Sequence, residues 1–264
     1  MGTITIDNRE LNFVEQGRGN QQTVVLLHGF CGSTEYWKKM MAPLSSKYHV
    51  IAMDLRGHGK SSFDGEAFEM EDLARDVQVL LDTLEIDTVH LFGHSLGGYV
   101  TLAFAENYPN RLKSYGLIHS TAYPDTDEGK AGRLKAIEKI QDLGIHAFID
   151  GLIPNLFAAD YKLVNKEEVL EVKEIGYKTD PLAAMETLAA MRKRPDRNAV
   201  IDQQSFRFLL VQGKFDKVVP ADRAVRSSAP YVTVKVLDAG HMGMLENPEE
   251  LHSLLTDFID SSTS

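Results

Sequence analysis

The chain has 264 residues, 43% of them hydrophobic and 25% charged, which is enough apolar content for one substantial core. Its formal net charge of −10 opposes binding to nucleic acid, and the densest basic stretch, "MRKRPDR" (Met191 to Arg197), reads as a solvated helix end. Cys31 is the only cysteine, so an internal disulfide is excluded, and no apolar run approaches the ~20 residues of a membrane-spanning helix.

At the N-terminus, "MGTITIDNRE" has neither a basic start nor an apolar signal core, so a cytoplasmic protein without a membrane partner is expected. "TITI" and "LNFVEQ", separated by Asp7-Asn8-Arg9-Glu10, predict a β-hairpin, because Asp and Asn favour tight turns. The runs "TVVLLH", "HVIAMD", "TVHLFG" and "SYGLIHS" are nearly continuous in apolar residues, as in strands buried on both faces of a mostly parallel sheet. Leu73, Val77, Leu80, Leu81 and Leu84 recur at helical spacing and predict a helix packed on that sheet. Residues 122–200 break the alternation. Ile145, Phe148, Ile149, Leu152, Ile153, Leu156 and Phe157 predict a helical insertion between a first core segment, 1–121, and a second, 201–264. That second segment brings two more strand-like runs, "FRFLLVQG" and "VTVKVLD". Strands alternating with helices predict an α/β fold.

"VHLFGHSLGGYV" (Val89 to Val100) poses the functional question. A Gly-x-Ser-x-Gly pattern arises by chance in roughly one chain of this length in ten. Here an apolar strand leads in and a predicted helix, "LGGYVTLAFAENYP", leads out. A sharp strand-to-helix turn would expose the Ser95 hydroxyl at a helix N-terminus, and a Cβ at Gly93 or Gly97 would crowd it.

With "LLHGFCGS", "MDLRGHGKSS", "FGHSLGG", "VQGKFDKVVP" and "DAGHMGMLENPEEL" following one another in that order, the chain resembles the α/β-hydrolase family over nearly its whole length apart from the insertion. The resemblance implies an eight-stranded, mostly parallel sheet with helices on both faces, a helical cap formed by the insertion, and a serine, an acid and a histidine in that chain order. Ser95 is then the nucleophile. Among the nine histidines, His241 follows the last predicted strand in a glycine-bearing loop and is the expected base. His28, His58 and His94 are expected to hold loops, and His90 and His119 to lie in the core or at its rim. Asp216, directly after the seventh predicted strand, matches the family's acid; Asp238 is its rival. Asp54 and Asp72 are expected to brace a loop or cap a helix.

A tetrahedral intermediate needs two N–H donors, and the expected ones are the backbone groups of Phe30 and Leu96. Phe30, Leu152, Leu156 and Met242 are expected to wall the substrate pocket. A serine at the elbow implies acyl transfer, so the expected activity is hydrolysis of small, mostly apolar carboxylic esters, with cap residues that offer little charge. Neither metal nor cofactor is expected, since no histidine spacing resembles a zinc motif. Two alternatives use the same residues: a carbon–carbon bond hydrolase or lactonase, and a small-molecule sensor with slow turnover. The carbon–carbon enzymes that the chain resembles usually carry an arginine and a tryptophan near the substrate acid, and Trp37, the only tryptophan, lies before the second motif, which weakens that reading.

Overall fold

The computed structural model describes residues 1–203, 206–220, 225–227 and 229–261. Eight strands form one sheet: β1 (Gly2–Ile6), β2 (Arg9–Gln16), β3 (Thr23–Leu27), β4 (His49–Met53), β5 (Val89–His94), β6 (Leu112–Ile118), β7 (Arg207–Gly213) and β8 (Val232–Leu237). Their spatial order is β1-β2-β4-β3-β5-β6-β7-β8. Only the pairs β1–β2 and β2–β4 are antiparallel; the rest of the sheet is parallel. The central strands β3, β4 and β5 are buried at every residue, which is why their sequences run apolar without alternation. The N-terminal hairpin is tighter than its sequence suggests. Ile6 pairs with Arg9, so only Asp7 and Asn8 form the turn, with Asp7 in the left-handed region at φ 54°.

Helices α1 (Lys38–Ser45), α2 (Met70–Thr83) and α3 (Leu96–Asn107) alternate with the strands, as the sequence predicts. In α2 the residues Leu73, Val77, Leu80 and Leu81 are all buried, and Asp72 accepts the Glu69 N–H in a capping box. Between β6 and β7 the chain is helical: α4 (Asp127–Leu152), α5 (Ala159–Val164), α6 (Lys166–Tyr177), α7 (Pro181–Lys193) and α8 (Asn198–Gln203). Gly144 breaks α4 with φ 80°, a conformation that glycine adopts without the penalty of a Cβ. After β8 come the short α9 (Gly243–Glu246) and α10 (Pro248–Asp260). Among the described residues no helix is long and apolar enough to cross a membrane.

The basic stretch at the end of α7 is not solvated as expected. Arg194 and Arg197 are only 7% and 3% exposed. Arg197 is paired with Glu71 and Glu106, and Arg194 with Asp125. These acids lie far away in sequence, so local charge density could not reveal that the arginines are buried and matched.

Candidate active site

Ser95 sits between β5 and α3 with φ 49° and ψ −111°, strained angles for a residue with a side chain. The surroundings hold it there. Its N–H donates to the Ile118 carbonyl, and its own carbonyl accepts from the Gly98 N–H and the Ser120 hydroxyl. The turn needs its glycines for space: a Cβ at Gly93 would lie 2.0 Å from the Gly97 carbonyl oxygen, and one at Gly97 would lie 2.5 Å from that of Leu27.

Asp216 follows β7 and His241 follows β8, so the parallel sheet delivers both to the same edge as Ser95. The His241 Nδ1–H donates to Asp216 Oδ2 at 2.8 Å, which leaves Nε2 as the free basic nitrogen. Asp216 Oδ1 accepts from the backbone N–H groups of Val218 and Val219, at 2.7 and 3.1 Å. Burial pushes the Asp216 carboxyl up, but His241, its hydrogen bond and His119 hold it below its ordinary pKa. Asp238, the rival acid, points into solvent: its carboxylate pairs with Lys214 at 3.0 Å, with 62% of its side chain exposed.

Three further histidines, His28, His58 and His94, hydrogen-bond loop backbone. His28 Nδ1–H donates to the Gly29 carbonyl, and its Nε2 accepts the Leu55 N–H. His58 Nδ1 bonds the Arg56 carbonyl. His94, immediately before the serine, donates from Nε2 to the carbonyl of His241, tying the elbow to the base loop. His90 bonds Ser114 and Gln22 from within β5. Asp54 braces the loops it touches, accepting from Asn12 and from the backbone of Thr34 and Lys60.

Two side chains near the base are more than rim or helix residues. His119 is buried beside the acid, with Nδ1 3.7 Å from Asp216 Oδ2. Burial, reinforced by His241, lowers its pKa to about 3, so it stays neutral there. Glu246 accepts three backbone N–H groups: Gly240 and Met242 in the base loop, and Ala158 in the segment between β6 and β7. Its only sequence signal is a helix position shortly after His241. Leu156 and Met242 lie at the base loop. The Leu156 carbonyl accepts the His241 N–H at 2.8 Å, and Met242 is wholly buried.

A cavity of about 420 Å³ lies beside these loops. Phe30 and Leu152 border it, together with Tyr99, Phe148, Leu188 and Val218. Ser95 and His241 are not among its described lining residues, but Phe30 and Val218 extend from the Gly29 and Asp216 loops, and Tyr99 lies one turn along α3 from Ser95. The expected lack of charge does not hold: Asp125, Arg133 and Arg194 also line the cavity. The helical periodicity of the insertion reported burial and could not show which polar side chains its ends turn inward.

A family profile described as the α/β hydrolase fold matches residues 22–138. The dihydrolipoyllysine-residue acetyltransferase component of the acetoin cleaving system from Pseudomonas putida is 31% identical over 96% of this chain. The chain spans 68% of that protein and 66% of its Cupriavidus necator counterpart, about two thirds of their length. A 2-(acetamidomethylene)succinate hydrolase from Mesorhizobium japonicum is 28% identical over 99% of this chain and 94% of its own. A thermophilic esterase from Thermogutta terrifontis, solved with malate bound, superposes with a TM-score of 0.90 at 27% identity, covering 99% of this chain and 97% of that one. With the eight-stranded sheet, the strained serine after β5, and an aspartate and a histidine after the last two strands, these matches establish that the chain belongs to the α/β-hydrolase family.

Proposed function

We propose that the protein hydrolyses small carboxylic esters through an acyl-enzyme on Ser95. The observation that supports this reading is the 2.8 Å bond from His241 Nδ1 to Asp216 Oδ2, which leaves Nε2 uncommitted to the acid on a loop at the same end of the sheet as the Ser95 turn. Ser95 Oγ attacks the ester carbonyl as His241 Nε2 takes its proton. The carbonyl oxygen becomes an oxyanion, received by the N–H groups of Phe30 and Leu96. Leu96 is the first residue of α3, where an N–H has no partner within the helix. Collapse breaks the bond to the alcohol, which leaves with the proton held by His241. Water then gives its proton to His241 and its oxygen to the acyl carbon, releasing the acid and restoring Ser95. A lactone, as a cyclic ester, would follow the same steps.

Residues 122–200 act in this reading as a cap. Leu156 and Ala158 hold the base loop through their backbone groups, while Phe148, Leu152 and Leu188 supply apolar cavity wall that excludes water. The test is incubation with a fluorophosphonate and peptide mapping, beside turnover of p-nitrophenyl acetate and butyrate. Labelling at Ser95 with sustained turnover is expected, and Ser95→Ala should lower turnover by up to ~10⁶-fold with the fold intact. Labelling followed by a single burst would favour a sensor. No labelling would overturn the assignment of the nucleophile.

A further inference from the structure

The charged side chains of the 420 Å³ cavity do not cancel. Among its described lining residues the ionised groups are Asp125, Arg133 and Arg194, two cations against one anion. Asp125 is already committed. One oxygen lies 2.8 Å from Arg194 Nη1 and the other 3.1 Å from Arg133 Nε. Burial raises the Asp125 pKa, and the two guanidinium groups more than reverse this, so the carboxylate stays charged.

The two arginines differ in what remains to them. Arg194 is built in: it donates to the carbonyls of Met191 and Tyr123, and its guanidinium stacks 3.9 Å from the centre of the Tyr99 ring. Its Nε is buried with no partner among the described residues. Arg133 spends Nε on Asp125, and its other neighbour is the Tyr99 hydroxyl, which as an acceptor can still donate its own hydrogen. No carboxylate of the described residues pairs with its terminal nitrogens, and its side chain is 26% exposed at the cavity wall. A guanidinium edge of this kind receives a carboxylate through two parallel hydrogen bonds. Tyr99 fixes the scale, since it lies one helical turn, roughly 6 Å, from the serine.

We infer that this cavity selects esters bearing a free carboxylate a few bonds from the reacting carbonyl, with Arg133 as the specificity-determining residue, Tyr99 beside it and Arg194 maintaining the positive field. The simplest such substrate is a half-ester of a short dicarboxylic acid. The inference rests on the ester-hydrolase reading above but concerns a separate group of residues, so the two can fail separately.

The experiment compares kcat/KM for the mono-p-nitrophenyl ester of glutaric acid with that for p-nitrophenyl valerate, its neutral counterpart. Wild-type protein should favour the half-ester at least 10-fold, Arg133→Met should lower that ratio at least 10-fold, and Arg133→Lys should recover part of it. Calorimetry of glutarate with Ser95→Ala reads the same site without chemistry. Binding is expected there, and its loss in the Ser95→Ala, Arg133→Met double variant, with a cooperative melt above the assay temperature and an unchanged far-UV circular dichroism spectrum as the control for folding. Hydrolysis of both esters at Ser95 with no preference, and no glutarate binding, overturns the inference and spares the hydrolase reading. Glutarate binding that depends on Arg133, without turnover of either ester, supports the anion site and counts against the hydrolase reading.

Discussion

Asp216 and Asp125 are both carboxylates withdrawn from water, with side chains 1% and 9% exposed, and both are held below their ordinary pKa against the effect of burial. They are held by different means. Asp216 is satisfied by two backbone N–H groups and a histidine, groups that position it without adding a permanent countercharge. Asp125 is satisfied by two guanidinium groups, which leave one positive charge over. The first arrangement suits a group whose partner must gain and lose a proton during a reaction; the second suits a fixed field. A carboxylate's role follows from its partners more than from its burial.

Asparagine substitutions separate the two roles. Asp216→Asn should lower turnover on the order of 10⁴-fold, because an amide no longer favours the His241 orientation or stabilises its protonated form. The fold should survive, since Val218 and Val219 can still donate to the remaining oxygen. Asp125→Asn should do the reverse. It leaves Arg133 and Arg194 facing one another without their shared anion, and breaking such a buried pair costs about 3–5 kcal/mol. Denaturant melts beside p-nitrophenyl valerate kinetics check both. A large loss of turnover with unchanged stability in Asp125→Asn would break the distinction.

Acid titration sharpens the contrast by asking which buried groups govern stability. Burial is the first cause that lowers His58 and His119 to about 3 and His90 to about 4, from 6.5. Unfolded, each binds a proton as pH falls through about 6.5; folded, each stays neutral to far lower pH. Below pH 6.5 the unfolded state therefore holds more protons, so stability is complete above about 6.5 and is lost as pH falls towards these folded values. Each histidine should contribute a loss of a little over ~1 kcal/mol by about pH 5.5, or about 4 kcal/mol for the three. Asp125 and Asp216, with depressed pKa values, lose their contribution only below the ordinary carboxylate range. Urea midpoints at pH 7.5, 6.5 and 5.5 check this. A constant midpoint would mean that these histidines are not buried neutral in the native state.

What was legible in the sequence follows the same division. Ser95 could be found because its turn is built from neighbours in sequence, the glycines whose missing Cβ atoms make room for it. Asp216 is singled out by its likeness to the family's acid position and His241 by the edge at which a parallel sheet collects successive strand ends, and the two side chains meet there. Glu246 could not, because the groups it holds are backbone N–H groups, one of them at Ala158. Arg194 looked solvated because its acid, Asp125, stands before α4 while it stands after α7. Leu156 reads as apolar wall by periodicity, yet it is the carbonyl that matters at the His241 loop.

The smallest expected effect comes from Asp238, which sequence position alone ranks next to Asp216 as an acid for His241. Asp238 lies just beyond β8 and meets Lys214 at 3.0 Å, but the two side chains are 62% and 59% exposed. An exposed pair gains little over hydration and is screened by salt, so its removal should cost well under ~1 kcal/mol. It also neighbours the base loop, through Ala239 and Gly240, without contributing a hydrogen bond to the His241 ring, which is already committed to Asp216. Asp238→Asn should therefore leave kcat/KM within about twofold and the melting temperature nearly unchanged. Since Asp216→Asn removes the same charge from a side chain 1% exposed rather than 62% exposed, the ratio of the two kcat/KM values separates the effect of position from that of charge. A loss in Asp238→Asn comparable to that in Asp216→Asn would mean that the histidine turns to the outer acid in solution, and the assignment of Asp216 would fall with it.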